Sequence, residues 1–322
     1  MLFLALAVTC SLAIAVVFKI AERRDLDRTA LLTVNYLAGA VLAIALQGVE
    51  PTGALSPGLV ALGVGQGVLF IGGFWLFSRA IREAGMGLSA GVMRLSVVVP
   101  FLASWLVWGE VPTALQFVGL ALAGAAFFLV ARPAAEPPGK LGPPASKAPA
   151  GDPLHTVAEA PARTVGLLGL LFLAGGLVDV NMKVFRESFS VAAGGTTSIA
   201  TFLIFVFGVA FLVGAVAVAW TGVRTGRWPS RAAWAWGVGL GIVNYYSAEF
   251  LLRALESLDG TVAFPANSVS IVFGAALIGR LVWGERLSRG NLVGLGLAAV
   301  ALVLLAGLGT PTLGCPAETY RP

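Results

Sequence analysis

The pentapeptide LVWGE occurs twice in this chain, at Leu106–Glu110 and again at Leu281–Glu285. Each copy ends a long apolar run, and another apolar run rich in glycine and leucine follows it. The wider stretches SWLVWGEVPTALQFVGLALAG (104–124) and GRLVWGERLSRGNLVGLGLAA (279–299) keep this order of apolar run, motif and apolar run. The same motif in the same setting indicates a duplicated unit, and it marks where equivalent apolar segments end.

Working outward from the motif, the composition of the chain indicates an integral membrane protein. Its 322 residues are 58% hydrophobic and only 11% charged, with a mean hydropathy of +0.90. Soluble domains carry about 25% charged residues, so this chain has too few to cover a globule in water. The net charge of +5 comes from basic residues in short loops beside apolar runs. That is the pattern of membrane topology, and no nucleic-acid partner is predicted.

Ten apolar runs of membrane-spanning length follow one another along the chain. A helix of about 20 residues crosses the hydrocarbon core, and the runs do not alternate as barrel strands do. The first run lacks a basic leader and a cleavage site, so it is interpreted as a membrane helix rather than a signal peptide. The sequence therefore predicts an all-α integral membrane protein with about ten transmembrane helices, at residues 2–20, 30–48, 57–79, 86–107, 113–131, 163–184, 196–221, 233–254, 261–282 and 290–309.

One segment dense in proline, alanine and glycine, residues 132–162, separates five runs from five. Such a composition predicts a flexible linker without a core of its own. We expect a first five-helix repeat at residues 1–131, a second at 163–309, and a C-terminal tail at 310–322.

The two halves align beyond the LVWGE motif. LGVGQGVLFIGGFWLFSRAIREAG (62–85) matches WGVGLGIVNYYSAEFLLRALESLDG (236–260), with three glycines and an Arg-Ala pair in register. No strand precedes either GxGxG run, so these glycines indicate helix packing rather than nucleotide binding. Because each repeat holds an odd number of spans, tandem copies enter the membrane in opposite directions, which predicts two inverted five-helix repeats.

These features resemble the drug/metabolite transporter superfamily, in its EamA-like ten-helix branch. The resemblance rests on five plus five spans, on a fourth span of each half that ends in WGE, and on a Gly-rich fifth span. FKIAE (18–22) is similar to the family's lysine near the end of the first span. The resemblance implies a carrier of small metabolites, often an exporter with proton coupling, in the cell membrane of a bacterium, most simply the inner membrane.

The side on which the termini lie stays open at this point. The even number of spans places both termini on one side. The resemblance implies the cytoplasm, whereas the loops after spans 1, 3, 5, 7 and 9 hold most of the lysines and arginines, which favours termini outside.

Polar residues within the apolar runs are the candidates for a functional site, because such residues are costly in a membrane. Glu249 and Asp179 are predicted to couple transport to protons or ions. We expect one cavity between the halves, with Arg94 and Glu249 as an ion pair that is either structural or engaged with an anionic solute and a proton. The predicted substrate-binding residues are Asn35, Tyr36, Gln66, Arg94, Asn181, Asn244, Tyr245, Asn267 and Ser270.

Other residues have predicted structural roles. Pro100 and Pro265 are expected to bend their helices. Lys19 and Lys183, near span ends, are expected to reach the headgroups. In the LVWGE copies, we expect the tryptophans to anchor at the interface and the glycines to form turns. The glutamates are expected to be exposed or to cap the following helix rather than to contact a solute.

The predicted function is secondary active transport of an amino acid, sugar or drug-like solute by alternating access, as an exporter with proton coupling or exchange. A passive channel or facilitator is the alternative. No Walker A motif is present, and the lone His155 lies in the linker, so neither an enzyme nor a cofactor or metal site is predicted. The expected partners are the small-molecule substrate and membrane lipid, and a homodimer stays open.

Overall fold

A computed structural model describes residues 1–24, 26–47, 56–131, 162–191, 194, 197–226, 228–284 and 288–306. Within these ranges the chain forms eleven helices. They are α1 (Leu2–Arg23), α2 (Arg28–Gln47), α3 (Pro57–Ala84), α4 (Met86–Leu95), α5 (Val98–Trp108), α6 (Ala114–Ala131), α7 (Ala162–Ser188), α8 (Ile199–Thr225), α9 (Arg231–Ala254), α10 (Gly260–Trp283) and α11 (Arg289–Ala306). The predicted linker lies outside the described residues, apart from Ala162 in α7.

The all-α membrane class is confirmed. Among the described residues, seven stretches of helix are long and apolar enough to cross a membrane, one of them made of α4 and α5 together. α6 and α11 are shorter apolar helices, and α9 is 24 residues long but carries Asn244 and Glu249. Many large apolar side chains on the outside of the bundle are exposed, including Leu106, Val216 and Leu281. A surface of this kind suits contact with lipid rather than water.

The fourth span is broken rather than merely bent. Ser96 and Val97 separate α4 from α5, and the amide of Val99 donates to the carbonyl of Ser96 at 2.9 Å. Pro100 follows the break and has no amide hydrogen to continue the regular ladder. Pro265, by contrast, lies inside an uninterrupted α10. The broken span places Arg94 in the last turn of a short helix.

The chain connections define two ends of the bundle. The connections between α1 and α2, α3 and α4, α8 and α9, and α10 and α11 lie at what we call the B end, with Arg23 and Arg28. The connections between α2 and α3, α5 and α6, α7 and α8, and α9 and α10 lie at the opposite A end, with Trp108 and Gly260.

The closest helix neighbours join the first half to the second. α2 packs on α8 and α9, and α3 packs on α7 and α8. α1 packs on α9, α6 on α11, and α5 on α10. Three of these pairs join helices at equivalent places in the two halves: α2 with α8, α5 with α10, and α6 with α11. The others come in twos, in which the second pair repeats the first with the halves exchanged: α1–α9 with α3–α7, and α2–α9 with α3–α8.

The two GxGxG runs make two of these crossings close, α3 on α8 and α9 on α2, and each run does so with its first and third glycines. A Cβ at Gly63 would lie 2.5 Å from Phe205 Cβ, and one at Gly67 would lie 2.7 Å from the Val206 carbonyl oxygen, both on α8. On α9, a Cβ at Gly237 would lie 2.6 Å from Val34 Cβ of α2.

The last glycine of the second run, Gly241, lies against the backbone of α2. A Cβ there would collide with the carbonyl oxygen of Asn35 and lie 2.6 Å from Ala38 Cβ. The middle glycines, Gly65 and Gly239, have nothing within 4 Å of that position. The prediction that these glycines serve helix packing is therefore confirmed for the outer two of each run.

The LVWGE motif ends its helix in both copies as expected. Gly109 and Gly284 cap α5 and α10 in the left-handed conformation, with φ of 71° and 64°. Glycine adopts this conformation without the penalty that a Cβ imposes. Glu285 lies outside the described residues.

Glu110 does not have the exposed position that the sequence suggested. One carboxylate oxygen accepts a hydrogen bond from Lys183 Nζ, and the other accepts one from the backbone amide of Thr261 at 3.1 Å. Its side chain is only 13% exposed. Glu110 therefore caps α10, in the other half of the chain, rather than the helix that follows it. A carboxylate suits that place because the first amides of a helix lack partners and carry partial positive charge.

Lys183 also departs from its expected position. Its side chain is 3% exposed and does not reach outward to headgroups. It pairs with Glu110 and with Glu187, the latter at 2.9 Å, and its Nζ lies 5.9 Å from the centroid of the Trp108 ring. We call the group of Glu110, Lys183 and the Thr261 amide the A-end brace, because it joins α5, α7 and α10.

We expect Gly241→Ala to destabilise the protein by about 1–3 kcal/mol, because the added methyl group forces α9 away from α2. The measurement is the thermal unfolding midpoint of the purified protein in detergent. Gly239→Ala, two residues away on the same helix, is the matched control. It should leave the midpoint unchanged or raise it slightly, since alanine favours helix more than glycine does. Equal losses in both variants would contradict the close crossing.

Glu110→Gln is expected to lower the free energy of unfolding by about 1–3 kcal/mol, because buried Lys183 then retains Glu187 as its only carboxylate. Glu83→Gln is the control. Glu83 pairs with Arg79 at 2.8 Å, but the two side chains are 27% and 46% exposed, and exposed pairs contribute little to stability. Chemical denaturation of both variants in one detergent compares them. A Glu110→Gln variant as stable as Glu83→Gln would show that the brace is not a stabilising element.

Candidate functional site

A cavity of about 630 Å³ lies between the two halves, with walls from α1, α2, α3, α4, α7 and α9. Four of the predicted site residues line it: Asn35, Tyr36, Arg94 and Asn244. Pockets of about 300–1,000 Å³ are typical of small-molecule sites. The expectation of a shared cavity between the halves is therefore matched by a space of suitable size.

The cavity reaches the surface at the B end. Its lining includes Glu22 and Arg28, whose side chains are 51% and 43% exposed and joined by a 2.8 Å ion pair. At the A end, the brace of Glu110 and Lys183 is buried instead. The structure thus combines one accessible end with one closed end.

Asn35 and Asn244 form an amide pair in the cavity wall. Asn244 Nδ2 donates to Asn35 Oδ1 at 3.3 Å, across the close crossing of α2 and α9. Asn35 is fully buried, and its Nδ2 has no hydrogen-bond partner in the structure. A buried donor without a partner is costly, so this nitrogen is suited to meet an acceptor in the cavity.

Arg94 reaches the cavity from the end of α4. The Asp179 carboxylate on α7 is near enough to interact with the guanidinium electrostatically. Asp179 does not itself line the cavity. The acidic neighbour of Arg94 therefore belongs to α7 and lies outside the cavity lining.

The predicted ion pair between Arg94 and Glu249 is wrong. Glu249 Oε1 accepts hydrogen bonds from Arg253, at 2.6 Å from Nη2 and 2.9 Å from Nε. Arg253 lies one helical turn further along α9, and such i,i+4 neighbours face each other. Glu249 is buried outside the cavity lining, and its Oε2 has no hydrogen-bond partner in the structure.

The other predicted residues lie around the cavity rather than in its lining. Gln66 Nε2 donates to the carbonyl of Val178 at 3.0 Å and so ties α3 to a cavity wall on α7. Tyr245 is buried beside Phe207, with ring centroids 6.2 Å apart. Asn181, Asn267 and Ser270 do not line this cavity.

Sequence reasoning missed the aromatic lining of the cavity. Tyr36 and Phe70 have ring centroids 6.4 Å apart, and those of Phe18 and Phe74 are 6.5 Å apart. Phe77 also belongs to the lining. Phenylalanines do not stand out in an apolar span. The available signal was the spacing of 70, 74 and 77, which places three rings on one face of α3.

Charged residues near the cavity opening were assigned other roles or overlooked. Lys19, Glu22 and Arg28 all belong to the lining. Lys19 Nζ lies 4.6 Å from the centroid of the Trp283 ring, so it rests on the second LVWGE copy instead of extending away from the protein. With Arg94 included, the described lining contains three basic side chains and one acidic side chain.

Comparisons with known proteins agree with this architecture. The sequence pattern of the EamA-like transporter family matches residues 1–132. An uncharacterized protein of Haemophilus influenzae (strain ATCC 51907 / DSM 11121 / KW20 / Rd) is 25% identical over 304 residues, which cover 90% of this chain and 92% of that protein. A protein of known crystal structure superposes with a TM-score of 0.68 at 15% identity over 95% of each chain, a likeness of fold alone.

The family match confirms the resemblance inferred from the doubled WGE pattern. It covers the first half of the chain, and the second half packs against it in corresponding helix pairs. Together with the apolar helices, it supports a membrane transporter of small solutes. The chain is a multi-pass membrane protein, and its residues 1–132 are similar to the EamA-like transporter family.

Proposed function

We propose that this protein is a secondary active transporter that moves a small metabolite by alternating access. The observation that carries the proposal is the cavity between the halves, accessible at the B end and closed at the A end by the brace. A carrier needs a central site that opens to one side at a time. A passive channel or facilitator would need a continuous path, whereas here buried charges join three helices at the closed end.

The packing supports a further part of the proposal, that the chain consists of two inverted five-helix repeats. The α1–α9 contact has its counterpart in α7–α3, and α2–α9 has its counterpart in α8–α3. Paired contacts of this kind are expected when equivalent units are related by a pseudo-two-fold axis. Exchanging the roles of the halves would then open the A end and close the B end.

The charges at the B end support export as the proposed direction of transport. Arg23, Arg24, Arg28, Arg224 and Arg231 lie there, and basic loops stay in the cytoplasm. The described state then presents its cavity to the cytoplasm, as an exporter loading its solute would. We assign the membrane as the bacterial inner membrane.

Within this proposal, Asp179 is the preferred coupling residue. It neighbours Arg94 in the wall of the cavity, so protonation of its carboxylate would change the field at the site. Glu249 is engaged by Arg253 and lies outside the lining. Acids buried within membrane helices are the usual members of proton relays.

Cross-linking the closed end should stop transport. Ser104 lies on α5, and a Cβ at Gly260 on α10 would lie 3.2 Å from Ser104 Cβ, close to disulfide spacing. In a Cys10→Ser, Cys315→Ser background, Ser104→Cys with Gly260→Cys should lose most counterflow of a solute selected by thermal shift, and reductant should restore it. Each single cysteine variant controls for local damage. Unchanged counterflow in fully cross-linked protein would exclude opening at the A end.

Asp179→Asn should abolish the stimulation of flux by a pH gradient in proteoliposomes, while Glu249→Gln should retain it. The reason is position, because only Asp179 acts on Arg94 at the cavity. Saturable flux and counterflow, measured in the same vesicles, separate a carrier from a channel, and the pH response separates a coupled carrier from a facilitator. Loss of the pH response in Glu249→Gln alone would reverse the assignment.

A further inference from the structure

We propose that the cavity binds an aromatic monoanion, with its carboxylate held by Arg94 and Asn35 and its ring packed among Tyr36, Phe70 and Phe74. This inference rests on the proposed function, since it names the class of solute for the same cavity. Its parts are the charge of the lining, an unpartnered donor, and the placement of the aromatic rings.

The charge of the lining favours an anion. Arg28 is matched by Glu22 at 2.8 Å, and Asp179, which interacts electrostatically with Arg94, is not part of the cavity lining. Lys19 also belongs to the lining, where its Nζ lies over the Trp283 ring. Aromatic walls can hold cations through their ring faces, but a cation here would meet basic groups that outnumber the single acid of the lining.

Asn35 supplies a donor suited to the same anion. Its Nδ2 is fully buried without a partner, while its Oδ1 is occupied by Asn244. Asn35 and Arg94 lie at similar depths from the B end. Asn35 is seven residues after the start of α2, and Arg94 is eight residues after the start of α4. At 1.5 Å per residue, both lie roughly 10–12 Å along their helices. A carboxylate has two oxygens and can accept from the guanidinium and the amide together.

The aromatic part of the lining favours a solute with a flat apolar group beside its carboxylate. Tyr36 with Phe70, and Phe18 with Phe74, present rings whose centroids lie 6.4 and 6.5 Å apart. Such rings pack against a flat apolar group in offset or edge-to-face contacts. A sugar would need a polar partner for each hydroxyl, and this part of the lining offers mainly carbon.

The test is binding of four compounds of similar size to the purified full-length protein in detergent. We expect 3-phenylpropionate to raise the thermal unfolding midpoint. Its neutral amide, the corresponding amine, and hexanoate should each bind at least about tenfold more weakly, because each lacks either the charge or the ring. Binding of the amine as tight as that of the acid would overturn the proposal, as would the absence of any shift with the acid.

Variants locate the site. Arg94→Gln should weaken binding of 3-phenylpropionate roughly thirtyfold or more, as loss of a buried charge partner does. Asn35→Ala should weaken it about tenfold, through loss of one hydrogen bond to a charged group. Arg94→Lys should bind more tightly than Arg94→Gln. Arg280→Gln, which removes an exposed arginine outside the lining, is the matched control.

The unliganded unfolding midpoint of each variant distinguishes a lost site from a lost fold. Unchanged binding in a folded Arg94→Gln variant would exclude the assigned carboxylate position. Saturable flux of an unrelated solute with no binding of aryl carboxylates would overturn this inference while leaving the carrier intact. Binding of aryl carboxylates without flux of any solute would support this inference and contradict the proposed carrier function.

Discussion

The structure depends on two close helix crossings, α3 on α8 and α9 on α2. Helices in a membrane gain little from hiding apolar side chains from lipid, so their association relies on close contact. Glycine makes such contact possible, and the outer two glycines of each GxGxG run provide it. At Gly241 the crossing brings α9 against the Asn35 backbone, and this same approach places Asn244 beside the Asn35 side chain. The polar pair in the cavity wall is thus a consequence of how closely the helices approach.

The A-end brace shows how charge complements this packing. Glu110 satisfies Lys183 with one oxygen and the start of α10 with the other, so a single side chain joins three helices from both halves. At the B end, Lys19 lies against Trp283, in the second copy of the same motif. The equivalent lysine and tryptophan therefore meet across the halves at both ends. A motif that resembles a simple helix terminus also makes contacts between the two halves of the chain.

Much of the fold was predictable because membrane helices obey strong local rules. Ten apolar runs, the turn glycines of LVWGE and the packing glycines follow from hydropathy and from the absence of a Cβ. The site was predictable only in part. Asn35, Tyr36, Arg94 and Asn244 line the cavity because polar residues avoid lipid. The same rule does not predict which charged residues interact with each other. Glu249 pairs with Arg253 on its own helix, and Arg94 interacts with Asp179.

By itself the sequence determined the helical membrane class, the approximate limits of the apolar helices, the doubled LVWGE motif, and the resemblance of the first half to a transporter family. These properties depend on composition and on the order of residues along the chain. The tertiary structure alone decided that Glu110 caps a helix in the other half, that Lys183 is buried, and that one end of the cavity is closed. It also decided that phenylalanines form part of the lining. The physical reason is that these features depend on which helices approach one another and at what distance, and hydropathy carries no information about either.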